Sequence, residues 1–201
     1  MNFDAATLEY YEAAAPHYTA STAQDRHRHL DPFLDRLAAC AKVLELGCGC
    51  GADAAHIARR GFVLDATDGT QAMVRKARER FDVKARVMRF DELEADADYD
   101  AVWAHAALLH APRAALPAIV QRISAALKPG GLHYANFKLG DAKHPHEGRD
   151  PLGRWTNLPS AAWLAETYRD AGFAIIEREQ YTGNGSDGVV REWFALTVRK
   201  P

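Results

Sequence analysis

Three glycines at alternating positions, Gly47, Gly49 and Gly51, stand between a short apolar run and a helical stretch. Residues without a Cβ let a backbone turn sharply and approach a ligand closely. The helix N-terminus behind them offers unpaired N–H groups, which suit a carboxylate or a phosphate. Asp68 lies 21 residues beyond Gly47, where a second strand should end. An acid at that place can accept both hydrogen bonds from a ribose diol. Together these features point to an adenosine-containing ligand and leave its other half open. Gly47-x-Gly49-x-x-Ala52 satisfies the loose dinucleotide fingerprint, so NAD is one candidate. Glu45 argues against it, because dinucleotide sites usually carry an apolar residue two places before the first glycine. Alternating glycines also make a wide loop, better matched to an amino acid than to a pyrophosphate.

A second group of polar residues lies in Asp141 to Leu158, a stretch rich in His, Pro, Gly and Arg. There Arg149, Arg154 and Trp155 would either dock a small anionic or flat substrate or belong to a surface loop pinned by one buried Trp. His144-Pro-His146-Glu147 offers two imidazoles at i, i+2 in a polar loop, which is not a usual metal-ligand arrangement. Cys48-x-Cys50 lacks the second cysteine pair that a zinc site needs, and reads as small filler in a tight loop. No metal is expected.

The elements that must position these residues alternate between short β-branched runs and longer helical patterns, the mark of a parallel α/β sheet. Strands are expected at Lys42–Leu46, Phe62–Thr67, Lys84–Phe90, Tyr99–Ala104 and Gly131–Phe137. Helices are expected at Gly51–Arg60, Thr70–Phe81, Arg113–Leu127 and Pro159–Ala171, the third stopped by Lys128-Pro-Gly-Gly131. Phe173–Tyr181 and Val189–Val198 are joined by too short a loop for a crossover helix, so they should pair antiparallel. The fold class is α/β: a seven-stranded, mostly parallel, doubly wound, Rossmann-like sheet ending in an antiparallel C-terminal hairpin. Such a hairpin is not the second half of a dinucleotide fold. Residues 1–201 are expected to form one domain, with N-terminal helices over the cofactor site within residues 1–41 and a substrate-side loop at 141–158.

The 201 residues carry 25 basic and 27 acidic side chains, a net charge of −2, which lacks the basic excess of a general nucleic-acid binder. Apolar residues make up 48% and charged residues 26%, as in globular soluble proteins. No run approaches the roughly 20 apolar residues of a membrane span. The first residues resemble no signal peptide, and three cysteines form no disulfide framework. A cytoplasmic address is expected.

Val43-Leu-Glu-Leu-Gly-Cys-Gly-Cys-Gly51 resembles the first motif of the class I S-adenosylmethionine (SAM)-dependent methyltransferases, and Thr67-Asp68-Gly-Thr-Gln-Ala-Met73 is similar to their second. Tyr99-Asp-Ala-Val-Trp103, Leu108-Leu-His110 and Leu127-Lys-Pro-Gly-Gly131 resemble later elements in the same order. The resemblance spans roughly residues 8 to 199. It implies SAM as cofactor, S-adenosylhomocysteine as product, and methyl transfer to a small-molecule acceptor by in-line displacement from the sulfonium. It places the methionine part of SAM on Gly47, Cys48, Gly49 and Gly51, with Glu45 steadying the loop. Asp68 would hold the ribose, with Gly69 or Met73 beside the adenosine. Asp91 would reach the adenine amine, although Phe90 stands where relatives usually have Gly. His105 would touch the cofactor, and His110 would be a base or substrate ligand. Tyr10, Tyr11 and Tyr18 lie in a stretch resembling the helices that cover the cofactor, and Tyr18 is counted with the cofactor residues. Amino-methylases that modify nucleic-acid bases carry Asn/Asp-Pro-Pro-aromatic after the fourth strand; Ala104-His-Ala-Ala107 departs from this, so no nucleic-acid partner is expected. The alternatives are an NAD-dependent oxidoreductase or a non-catalytic SAM-binding regulatory module.

Overall fold

The computed structural model describes residues 2–18, 28–140, 146–185 and 188–201. Its strands are β1 (Lys42–Leu46), β2 (Val63–Asp68), β3 (Arg86–Val87), β4 (Tyr99–Ala104), β5 (Leu127–Lys138), β6 (Glu147–Arg149), β7 (Trp155–Asn157), β8 (Ala174–Asn184) and β9 (Val190–Arg199). Its helices are α1 (Ala5–Ala14), α2 (Leu30–Leu34), α3 (Ala52–Arg59), α4 (Gln71–Phe81), α5 (Leu116–Ala126) and α6 (Ala161–Asp170). Seven strands form one sheet in the order β3-β2-β1-β4-β5-β9-β8. The first five run parallel, and β9 is antiparallel to both β5 and β8. The expected terminal hairpin is therefore present, with its later strand inside the sheet and its earlier strand at the edge.

Strands buried on both faces divide their side chains between two helix layers. Leu44, Leu46, Val102, Ala104 and Phe137 pack with Leu116, Ile119, Val120 and Ile123 of α5 and with Leu164 and Tyr168 of α6. Val43, Ala101, Trp103 and Tyr134 pack on the opposite face with Leu30, Phe33 and Leu34 of α2 and Ile57 of α3. Of the N-terminal helices, α2 is thus a core element on the sheet face. Among the described residues α1 lies over the strand ends: Gly69 packs so closely under it that a Cβ there would come within 2.9 Å of Leu8. Glu12 of α1 also accepts from the Ala72 N–H at the start of α4 (3.0 Å), a group that the helix itself leaves unpaired.

Three expectations need correction. The third strand pairs only at Arg86–Val87, not over Lys84–Phe90, because Val83 and Ala85 turn inward to pack with Val74 and Ala77 of α4. Phe90–Glu92 is a short 3-10 turn. The fifth strand begins at Leu127, four residues before Gly131, through an irregular pairing with β4 at Tyr99. Within the stretch expected to be a loop, β6 and β7 form an antiparallel hairpin. Its turn is Asp150-Pro-Leu-Gly153, closed by the Gly153 N–H on Asp150 O at 2.8 Å, with Asp, Pro and Gly at the places a type I turn favours. His144 lies outside the described residues.

Candidate functional site

Strands β1 and β4 are neighbours, but the chain leaves them toward opposite sides of the sheet. A crevice must open at their C-terminal ends. The register pairs Glu45 with Trp103, so the turn at Gly47 faces the turn at His105 across it. A cleft of about 1170 Å³ fills this crevice and runs under α1 toward β8 and β9.

One wall is the glycine turn. Gly47, Gly49 and Gly51 all adopt left-handed backbone, with φ of 73°, 54° and 84°, which disfavours any residue with a Cβ. At Gly47 a Cβ would also meet Ala107 at 2.7 Å. Gly47, Cys48 and Gly49 line the cleft. Gly51 does not; it opens α3 and packs against Ala77, where a Cβ would approach to 2.8 Å. Asp68 braces the turn. Its Oδ2 accepts from the Gly49 N–H at 2.9 Å, and its Oδ1 accepts from the Thr70 N–H and hydroxyl at 3.0 and 2.9 Å. Burial pushes its pKa up, and those same hydrogen bonds oppose the shift.

Glu45 is buried at the end of β1 and lines the cleft. Its Oε2 has no hydrogen-bond partner among the described residues. Burial raises its pKa well above the usual carboxylate range, and the charges of Asp53 and Asp68 raise it further. Tyr18 sits over Gly49, 3.9 Å from where a Cβ would be. Gly69, Phe90 and Asp91 also line the cleft, with Asp91 held by Arg89 Nε at 3.0 Å. Met73 does not reach the cleft; it is buried against Ala15 and Ala72.

The two histidines after β4 differ sharply. His110 Nδ1 is 2.7 Å from Trp155 O, a group that only accepts, so Nδ1 carries the proton. Its Nε2 then accepts from the Tyr11 hydroxyl at 2.8 Å. Burial, aided by the Arg154 charge, lowers its pKa to about 4. With both nitrogens engaged, His110 has no lone pair to offer a substrate. His105 Nδ1 donates to Asp53 Oδ2 at 3.0 Å, and the same oxygen accepts from Trp103 Nε1 at 3.1 Å. Its side chain remains 32% exposed and lines the cleft.

The expected substrate residues serve other ends. Arg154 is buried and tied to Asp150 through Nε (2.9 Å) and Nη2 (2.6 Å), while Nη1 donates to the Tyr11 hydroxyl at 2.9 Å. Arg149 is exposed and pairs with Asp4 at 2.9 Å. The Trp155 N–H donates to Thr7 Oγ1 at 2.7 Å. These contacts bind the β6–β7 hairpin to α1; of the three residues, only Arg154 reaches the cleft.

Residues 43–131, from β1 into β5, match a family described as a methyltransferase domain. The chain as a whole has the fold of the SAM-dependent methyltransferases. A SAM-dependent methyltransferase from Methanosarcina mazei superposes with a TM-score of 0.74 over 84% of this chain and 96% of its own, at 18% identity. The 1,6-didemethyltoxoflavin-N1-methyltransferase of Burkholderia thailandensis, solved with S-adenosylhomocysteine, superposes with a TM-score of 0.66 over 97% and 80%, at 21% identity. At these identities the likeness is one of fold. A curated relative, hemagglutinin 1 of Eikenella corrodens, is 26% identical over 124 residues, 59% of this chain. The chain covers 41% of that relative's length.

The spacing alone did not point to Asp53, Asn136, Lys138, Tyr181 or Trp193, all of which line the cleft. Asp53 reads in sequence as an ordinary first-turn acid of α3. The others come from β5, β8 and β9, and only the antiparallel pairing brings them together. Among the described residues no helix is long and apolar enough to cross a membrane.

Proposed function

We propose that the chain transfers the methyl group of SAM to a small-molecule acceptor in the same cleft, by in-line attack on the methyl carbon. The observation that carries this reading is the gathering of Glu45, Asp53 and Asp68 about the left-handed glycine turn, with a buried Glu45 oxygen lacking a partner among the described residues. SAM brings an ammonium and a sulfonium to such a site, whereas the pyrophosphate of NAD would meet like charge. A cation beside Glu45 would favour its ionised form and relieve the buried carboxyl. Gly47, Cys48 and Gly49 would hold the methionine part, and Asp68 the ribose through the lone pairs left on Oδ2. Gly69, Phe90 and Asp91 would flank the adenosine, with Tyr18 as cover.

When bound, SAM supplies a methyl that is already electrophilic. The remaining work of this chain is to position an acceptor at near-attack distance and exclude water. At about 1170 Å³ the cleft exceeds the 300–1,000 Å³ usual for one ligand, so an acceptor fits beside the cofactor. The Burkholderia neighbour acts, by its name, on a small molecule, which supports the same class here and no particular compound.

Calorimetry with SAM, S-adenosylhomocysteine and NAD tests the cofactor, with binding expected for the first two only. Binding of NAD alone would overturn it. A labelled-methyl screen against fractionated cell extract then tests the acceptor: label is expected in a low-molecular-weight fraction. Label only in protein or nucleic acid refutes the acceptor class, and tight SAM binding with no label anywhere favours a non-catalytic module.

A further inference from the structure

We infer that His105 is the general base of this methyl transfer, oriented by Asp53, and that the acceptor therefore carries a proton on its attacking O or N atom. The inference rests on the methyl-transfer reading above. Among the described residues, the imidazoles lining the cleft are His17, His29, His105 and His110. His110 has both nitrogens bonded. His17 lies on the exposed stretch after α1, where no side-chain bond from the described residues orients its ring. His29 faces Tyr134 and Tyr181 at centroid distances of 5.5 and 5.3 Å, with Nδ1 3.8 Å from Glu179.

Of these four, His105 combines a fixed ring with an available nitrogen. Its Nδ1–H is held by the buried Asp53 carboxylate at 3.0 Å, so the neutral ring must carry its lone pair on Nε2. Among the described residues no hydrogen bond engages Nε2. Trp103 Nε1 fixes the carboxylate in turn at 3.1 Å. This is how a carboxylate sets the tautomer and aim of a catalytic imidazole. The turn beneath is fixed as well. Ala106 has a φ of 50°, uncommon for a residue with a Cβ, and its N–H donates to Asn136 Oδ1 at 2.6 Å. Strain of this kind persists only where its surroundings enforce it, and it clusters at functional sites. The imidazole thus stands at the end of β4, opposite Gly47, on the wall where the methyl acceptor must approach.

The step balances simply. His105 Nε2 takes the acceptor's proton while the acceptor lone pair forms the bond to the methyl carbon. The carbon–sulfur bond breaks with its electron pair on sulfur, leaving a neutral thioether. Asp53 stabilises the resulting imidazolium until its proton passes to water. The other titratable groups facing this part of the cleft are Glu45 from β1, His29 before α2, Lys138 and Tyr134 from β5, and Tyr181 from β8.

The test uses His105→Gln and Asp53→Asn in the full chain. Calorimetry should give His105→Gln a SAM affinity within about twofold of wild type; a loss of tenfold or more would make His105 a cofactor ligand and overturn the proposal. Nitrogen NMR of the wild-type protein should show His105 protonated at Nδ1 at neutral pH, and Asp53→Asn should lose that fixed tautomer. Labelled-methyl transfer is then read from pH 5 to 9 with two probe sets, phenols and N–H heterocycles on one side and thiophenol, already a thiolate at neutral pH, on the other. A positioned base contributes about 10²–10⁴-fold, so His105→Gln should slow the protonated probes by that factor, abolish the acid limb of the profile and spare the thiolate. Equal slowing of both sets, or an unchanged pH profile, overturns the base while leaving methyl transfer intact. No transfer from wild type to any probe, with no label in extract, removes both readings together.

Discussion

Replacing Asp68 with Asn keeps the shape of the side chain and tests the brace of the glycine turn directly. Both carboxylate oxygens accept from N–H groups, Oδ2 from Gly49 and Oδ1 from Thr70. An amide has only one accepting oxygen, so whichever way the substituted side chain turns, its NH₂ faces a donor. One backbone N–H is then left unsatisfied, at about 1–3 kcal/mol. The bond to a ribose hydroxyl also loses its charged acceptor, a term of about 1.5–3 kcal/mol. With about 1.4 kcal/mol to each factor of ten, the loss at the ribose alone weakens binding roughly tenfold or more, while the loss at the turn falls on stability. Titration of S-adenosylhomocysteine into wild type and Asp68→Asn by calorimetry should show this, with thermal melts confirming that the variant is folded. An affinity within twofold of wild type would refute the ribose contact, and an unchanged melting temperature the brace.

Asp150→Ala removes the carboxylate paired with the Arg154 guanidinium, whose side chain is 2% exposed beside an Asp150 side chain at 3%. Breaking such a buried pair costs about 3–5 kcal/mol; a fall in Tm of about 6 °C or more by scanning calorimetry is expected, and a fall under about 2 °C would count against it. Gly51→Ala sets a Cβ 2.8 Å from Ala77 Cβ at a φ of 84° and should destabilise by about 2–4 kcal/mol. At Gly61, with φ of 85° and no atom within 4 Å, the same change should cost only about 1–2 kcal/mol; equal losses in urea titrations would disprove the packing argument. His133 is buried with Nδ1 2.9 Å from Val102 O and Nε2 3.1 Å from the Tyr168 hydroxyl, and burial lowers its pKa from 6.5 to about 4. The unfolded chain binds the extra proton between those values, so this stabilisation is present above pH 6.5 and is lost as pH falls toward 4, by up to about 3 kcal/mol. Glu45 and Asp68, raised by burial, act in the opposite sense. The comparison is therefore wild type against His133→Gln, whose stability should fall less steeply with acid; parallel curves would sink the assignment.

The parallel core and the glycine turn were legible because their signals are local. A Gly in left-handed backbone, a strand of β-branched residues and an acid at its end each sit within a few residues of what they determine. The terminal hairpin was legible for the same reason, since Thr182 to Gly188 is too short for a crossover. Asp150-Pro-Leu-Gly153 was also a readable turn, but its strands of three residues are too short to show alternation. What escaped was long-range pairing. Arg154 looks like an anion ligand until Asp150 and Tyr11 are seen to occupy it. His105 and Asp53 lie 52 residues apart, and only the β1–β4 crevice brings them together. Met73 follows the motif in type, yet the face of α4 on which it lies points into the core.

The place of β9 between β5 and β8 has a consequence for how the protein is made. A ribosome delivers β8 before β9, yet β8 joins the sheet only through β9. Until Val190–Arg199 has emerged, β5 presents an open edge at Leu132–Lys138, the kind of unpaired strand that invites association with other chains. Asn136, Lys138, Tyr181 and Trp193 come from these same three strands, so their end of the cleft takes shape last. During synthesis the glycine turn can form well before that end of the cleft exists.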